Sequence, residues 1–156
     1  MGSVRGGTVQ AGKQRIPRIM AIDWGTRHLG LAFNRGSNFA FSGGVLAGGT
    51  LQETVSRVLE QARKNQIELI VVGFPLRLGG EEKREANLVR KFLEKLKKEF
   101  SGEVVLLDER LTTKEAERRL LEADLSRSRR KKIIDQLAAV ILLETYLKRY
   151  EVKNRS

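Results

Sequence analysis

Residues 18–33 read Arg18-Ile-Met-Ala-Ile-Asp23-Trp-Gly-Thr-Arg-His-Leu-Gly30-Leu-Ala-Phe33, and this stretch decides the fold. Four apolar residues end in an acid, the chain turns through Gly25 and Thr26, and a second apolar run resumes at Leu29. Short apolar runs on either side of a glycine-containing turn form a buried strand pair rather than a helix. A carboxylate that ends a buried strand is costly unless a cation or several donors meet it. Asp23 is therefore either a turn residue accepting the backbone N–H groups of Gly25 or Thr26, or a ligand whose partners lie elsewhere.

Working outward, residues 1–17 hold glycine and arginine, no acid and no apolar period, and read as a disordered basic arm. Downstream, Phe39-Ala-Phe-Ser-Gly-Gly-Val-Leu46 completes a three-stranded antiparallel meander, with a bulge or bend at Gly43 and Gly44. Thr50-Leu-Gln-Glu53 is a capping box that opens a helix running to about Asn65. Ile67–Gly73 is a β-branched strand of the kind buried on both faces, and 74–80 is a loop. A charged helix over about Glu81–Phe100 turns Leu88, Phe92, Leu93 and Leu96 inward. Glu103–Glu109 ends a further buried strand with two acids. Thr112–Glu115 caps a helix to about Leu121, 124–130 is a polar loop, and the last helix spans about Arg130–Tyr150. The domain is expected over 18–150, with a flexible basic tail at 151–156. Strands followed by alternating helices and strands make a mixed α/β layout.

At 156 residues the chain forms one domain with a real core. No apolar run approaches the roughly 20 residues that span a bilayer. No cysteine is present, which suits a cytoplasmic protein and removes thiol nucleophiles and cysteine metal sites. A single histidine excludes histidine-rich metal centres. The net charge of +11, from 30 basic and 19 acidic residues, points to a partner with phosphates.

Three acids stand among apolar residues. Asp23 ends the first strand, Glu109 follows Asp108 at the end of the last, and Asp135 lies within Ile133-Ile-Asp-Gln-Leu-Ala-Ala139. Small residues at 138 and 139 would let the helix approach the sheet and bring Asp135 towards Asp23. Asp23 and Glu109 are expected on neighbouring central strands. Three ionised carboxylates converge only when cations neutralise them, and hard oxygen ligands select Mg²⁺ or Mn²⁺. Two such ions would support phosphodiester hydrolysis. Asp23, Glu109 and Asp135 are thus the candidate catalytic and metal-binding residues. Thr26, Arg27, Arg110, Arg127, Arg129, Arg130 and Lys131 are the candidate phosphate contacts. Trp24 either stacks on a base or packs.

Four ordered pieces carry a resemblance: Ile22–Ala32, Val72-Gly-Phe-Pro-Leu76 with Gly79-Gly-Glu81, Leu107-Asp-Glu-Arg-Leu-Thr-Thr113 and Ile134-Asp-Gln-Leu-Ala-Ala139. Together they resemble the YqgF-type pre-16S rRNA nucleases, also called Holliday junction resolvase-like proteins. The resemblance implies an α/β, ribonuclease H-like fold, with a mixed five-stranded sheet and helices on both faces. It also implies that Asp23, Glu109 and Asp135 are the family's acids, in an enzyme that matures the 5′ end of 16S ribosomal RNA. Junction resolvases usually carry a second acid one turn along the last helix, where this chain has Ala138.

The expected function is a metal-dependent endonuclease on precursor ribosomal RNA, monomeric or homodimeric, with no membrane partner and no small-molecule cofactor. The alternatives are a DNA junction resolvase and a non-catalytic RNA-binding assembly factor. A sugar kinase or actin-like ATPase shares the opening hairpin but needs two such domains.

Overall fold

The computed structural model describes residues 15–25, 28–74, 80–108, 118–119, 122 and 127–153, with side chains described except at 80–83, 127–136 and 152–153. Among these residues, five strands and three long helices follow in the order β1 (Ile19–Asp23), β2 (His28–Phe33), β3 (Phe41–Ala47), α1 (Leu51–Lys64), β4 (Leu69–Phe74), α2 (Gly80–Glu99), β5 (Glu103–Asp108) and α3 (Arg127–Lys153). The strand order across the sheet is β3-β2-β1-β4-β5. β1, β2 and β3 pair antiparallel, as hairpin-connected strands do. β4 and β5 join through helical crossovers and run parallel to β1.

Period-two alternation divides β1 cleanly. Met20 and Ile22 enter one core with Leu29, Leu31, Val55, Val58, Phe92 and Leu96, beneath α1 and α2. Ile19 and Ala21 enter the other with Ala32, Val71, Leu107, Ala139 and Leu142, beneath α3. Helices therefore cover both faces, as expected. Ala21, Ala32 and Ala139 are all fully buried in the α3 core, so small side chains meet where that helix crosses the sheet. β4 is buried along its whole length.

The bulge falls at the expected glycines. Leu31 pairs with Gly44 and Ala32 with Ser42, leaving Gly43 without a partner in the register. A Cβ on Gly43 would collide with the Phe33 ring, and Gly44 takes φ +84°, so both positions require glycine. The capping box of α1 is also present. Thr50 Oγ1 accepts from the Glu53 N–H (3.1 Å) and Glu53 Oε1 from the Thr50 N–H (2.9 Å).

Four expectations change. β5 is an edge strand rather than a buried one, with only Leu107 buried and Leu106 45% exposed, because among the described residues no strand pairs with its outer side. Leu88 is 49% exposed rather than inward. The inward seam of α2 is Val89, Phe92 and Leu96, with Leu93 partly buried against the same core as expected, and Leu88 falls at the margin of this stripe. The last helix begins at Arg127, so 127–130 is helical rather than loop. Finally, β4 lies between β1 and β5, so the strands bearing Asp23 and preceding Glu109 are not neighbours. The capping box at 112–115 lies outside the described residues.

The end of the sheet opposite Asp23 is tied down by polar contacts. Fully buried Asn34 accepts from the Ile19 N–H (2.7 Å) and donates to the carbonyls of Pro17 (2.8 Å) and Ser37 (2.9 Å). Arg15 grips Glu68 with both guanidinium nitrogens (2.9 and 2.6 Å), and the Arg18 N–H adds a third bond at 2.8 Å. These bonds, the Arg15 pair first, hold the Glu68 carboxyl down at about 2.

Candidate active site at the strand ends

β1 ends at Asp23 with its ladder still intact, because the Trp24 N–H donates to the Gly73 carbonyl (3.2 Å). The turn that follows is tight. A Cβ on Gly25 would stand 2.5 Å from the His28 carbonyl oxygen, so only glycine lets the backbone double back here. Thr26 and Arg27 lie outside the described residues, as do Glu109 and Arg110.

Alternation fixes the face on which Asp23 lies. It follows Ile19 and Ala21 in steps of two and so shares the α3 face. Trp24 follows Met20 and Ile22 onto the opposite face and packs against that core. Its ring centroid is 5.0 Å from that of Phe92 and its indole N–H donates to Glu85 (3.1 Å). Trp24 is therefore packed on the core, while part of its ring also lines a cavity.

The register around Asp23 is unusual for a strand end. Asp23 pairs with Gly30 on β2 and with Gly73 on β4, and Gly73 pairs in turn with Leu107 on β5. The acid thus stands between two positions without side chains, on the face that α3 covers. The sequence reading missed both glycines as site residues. Their signal was visible only as two glycines in strand runs, and it needed the register to acquire meaning.

Asp108 behaves differently from Asp23. It follows Val104 and Leu106 in steps of two, and Val104 packs against the α1/α2 core, so Asp108 belongs to the opposite face. Leu107 occupies the α3 face.

α3 carries Asp135 to the same end of the sheet. The Tyr150 hydroxyl donates to the Arg15 carbonyl (3.3 Å) and Asn38 donates to Glu151 (3.4 Å), so the C-terminal turns of α3 lie by the start of β1. From Tyr150 back to Asp135 the helix rises about 22 Å, and an extended chain from Arg15 to Asp23 covers about 26 Å. The backbone of Asp135 consequently stands near the level of Asp23, on the helix that crosses its face. Arg127, Arg129, Arg130 and Lys131 occupy the two turns before it. Ala138, one turn after it, is buried in place of any further acid.

Among the described residues no three acidic, histidine or cysteine side chains converge in a group able to hold a metal ion. A carboxylate flanked by two glycines at the end of a strand nevertheless has the donor chemistry that a hard divalent cation needs. Two cavities are relevant. One of about 580 Å³ lies between the C-terminal ends of α1 and α2, lined by Leu59, Arg63, Ile67 and Phe100, at the far end of the sheet from Asp23. A smaller one of about 120 Å³ lies beside Trp24. No helix of the described residues is long and apolar enough to cross a membrane.

Comparison with known proteins identifies the family and the fold. The RuvX family model, described as Holliday junction resolvase, matches residues 17–149. A "Putative pre-16S rRNA nuclease" of Endomicrobium trichonymphae is 42% identical over 134 residues, covering 83% of this chain and 94% of the relative. One of the same name from Syntrophomonas wolfei is 40% identical over 131 residues, covering 83% and 93%. Among solved structures, T. thermophilus RuvC in complex with a Holliday junction substrate superposes with a TM-score of 0.55 at 18% identity, covering 86% of this chain and 96% of that one. That likeness gives the fold, which is ribonuclease H-like.

Proposed function

The chain belongs to the RuvX family, described as Holliday junction resolvase, and from that membership we propose a metal-dependent endonuclease that trims the 5′ side of precursor 16S ribosomal RNA in the cytoplasm. The observation that carries this reading is Asp23, a strand-end carboxylate on the α3 face with Gly30 on one side and Gly73 on the other. A residue that merely caps a turn does not require cleared space on both neighbouring strands.

Carried past Leu107, the same period of two reaches Glu109 in the sequence, and α3 contributes Asp135. These two complete the acid set with Asp23. The three carboxylates would hold Mg²⁺ or Mn²⁺, which supplies an activated water and offsets charge on the scissile phosphate. The chain's own part would be to fix these oxygens, with Asp23 at a strand end, Glu109 next after β5 in the sequence and Asp135 on a helix packed on alanines. Thr26, Arg27, Arg110 and the basic turns 127–131 would meet the flanking phosphates. Ala138 supplies no second helix acid, which favours the RNA reading over junction resolution. The relatives' names point the same way.

The test is purified protein with Mg²⁺ or Mn²⁺, offered precursor 16S RNA and a four-way DNA junction. Metal-dependent cutting of the RNA supports the proposal. Cutting of the junction alone supports a resolvase, and binding without cutting under any metal supports a non-catalytic assembly factor. Asp23→Asn, Glu109→Gln and Asp135→Asn should each abolish cleavage, and pairs should lose little more than singles, as groups acting as a unit do.

A further inference from the structure

The cavity of about 120 Å³ beside Trp24 plays no part in the hydrolysis described above. Trp24, Gly25, Gly48, Gly49, Leu51 and Leu88 line it, and none of these is charged. It opens at the same end of the sheet as Asp23, on the opposite face. We propose that it receives one unpaired nucleobase of the bound strand, the base beside the phosphate held at Asp23. The proposal rests on the nuclease reading.

Size and lining both select a single planar ring. The volume is well below the roughly 300–1,000 Å³ of sites for larger small molecules. An indole and the bare backbone of Gly48 and Gly49 both belong to its lining. Base-on-aromatic stacking needs no hydrogen-bond reading and tolerates any base. Uncharged walls suit a base and not a phosphate, leaving the sugar-phosphate chain to the basic surface. Leu51 and Leu88, 39% and 49% exposed, are large apolar side chains with no core role at this position. As the rim of a base site they have one.

The walls are set before a ligand arrives. Trp24 is fixed by its bond to Glu85 and its contact with Phe92. Arg57 donates to the carbonyls of Ala47 (3.1 Å) and Gly48 (2.8 Å), which holds the glycine part of the lining to α1. A Cβ on Gly49 would stand 2.6 Å from Glu53 Oε1, so that wall stays bare. Asp23 and Trp24 are consecutive and point to opposite faces. A strand crossing the sheet's end can thus leave its phosphate at Asp23 and turn its base over the edge to Trp24. An unpaired base does this most readily, because no pairing has to be broken.

Trp24 is the only tryptophan in the chain, so its fluorescence reports on this cavity directly. The experiment titrates wild type, Leu51→Gln and Leu88→Gln with short single-stranded RNA and DNA oligomers in Ca²⁺, a hard cation that can keep the phosphate at the acids, with binding rather than cleavage as the readout. Each oligomer is compared with versions carrying one abasic site, moved position by position. Intact oligomers should quench Trp24 in the wild type. Removing the base at one position should abolish quenching and weaken binding about tenfold, the loss of one stacked base. Both variants should bind the intact oligomer about tenfold more weakly and no longer respond to the abasic position. The sugar whose oligomers quench identifies the source of the base. Unchanged fluorescence on binding, or variant and abasic losses that simply add, overturns the proposal. Quenching without cleavage in the metal assay would sink the nuclease reading alone, and cleavage without quenching would sink this one alone.

Discussion

Asp23 and Asp108 look equivalent in the sequence, each an acid ending an apolar strand, and the structure separates them. Asp23 shares the α3 face, whereas Asp108 lies on the α1/α2 face two strands away. At about 4.8 Å per strand and one residue of offset, with side chains on opposite faces, their charges are roughly 12 Å apart. A unit charge about 4 Å from a cation is worth about 4 kcal/mol at an effective dielectric near 20, which is about a thousandfold in affinity. At 12 Å the same charge gives about 1.4 kcal/mol before screening, and that distance exceeds the Debye length of about 8 Å in physiological salt. Asp23→Asn should therefore lower apparent metal affinity and cleavage by at least about a thousandfold, with thermal stability unchanged or raised as like charges are relieved. Asp108→Asn should lower them by less than about tenfold. The assay is cleavage of end-labelled precursor RNA as a function of Mg²⁺ concentration, beside thermal unfolding of each variant. If Asp108→Asn falls as far as Asp23→Asn while remaining folded, the assignment of faces is refuted.

Gly73→Ala would place a methyl group in the row beside Asp23; cleavage should fall at least tenfold while unfolding shows the protein still folded at the assay temperature, and unaltered cleavage would remove the cleared row from the argument. Arg129→Ala with Arg130→Ala should weaken nucleic-acid binding about equally across sequences and reduce the salt slope by about one unit per lost phosphate contact; an unchanged slope would show that these residues touch no phosphate. The Glu68 carboxyl is held down at about 2 by Arg15 and the Arg18 N–H, against an ordinary value of 4.5. A depressed carboxyl contributes stability that is complete above its unfolded value and is lost as pH falls towards its folded one. Glu68→Gln should accordingly narrow the loss of stability between about pH 4.5 and 2, measured by denaturant unfolding across that range; an identical pH profile in the variant would contradict it. The exposure of the pair keeps the effect small.

What the sequence could show, and what it could not, follows from the range of the forces involved. The meander, the capping box at Thr50 and Glu53 and the bulge at Gly43 and Gly44 are local, and each was legible from residues within a few positions. The burial of β4 was legible from its β-branched run. Burial of β5 was not, because an apolar run reads alike at the centre and the edge of a sheet. Leu88 was misplaced because it lies only one position from the true seam of α2, and a stripe in a highly charged helix admits two phases.

The order of β1, β4 and β5 is the deepest of these differences, because it changes how the acids can meet. Neighbouring strands would have set Asp23 directly against the last strand's acids. With β4 between them, position 73 is the one beside Asp23, and an ordinary side chain there would fill the space next to the acid on the α3 face. Glycine there leaves that space bare, and glycine at 30 does the same on the other flank. Each glycine weakens its strand slightly, since it packs nothing and costs more entropy to order. Both occur in the row of the one carboxylate that ends β1, while the row before it is filled by Ala32, Ala21 and Val71. A stability optimum would have filled both rows. The chain instead leaves open the row that faces Asp135's helix, and space held at a cost to packing is a mark of a site rather than of a turn.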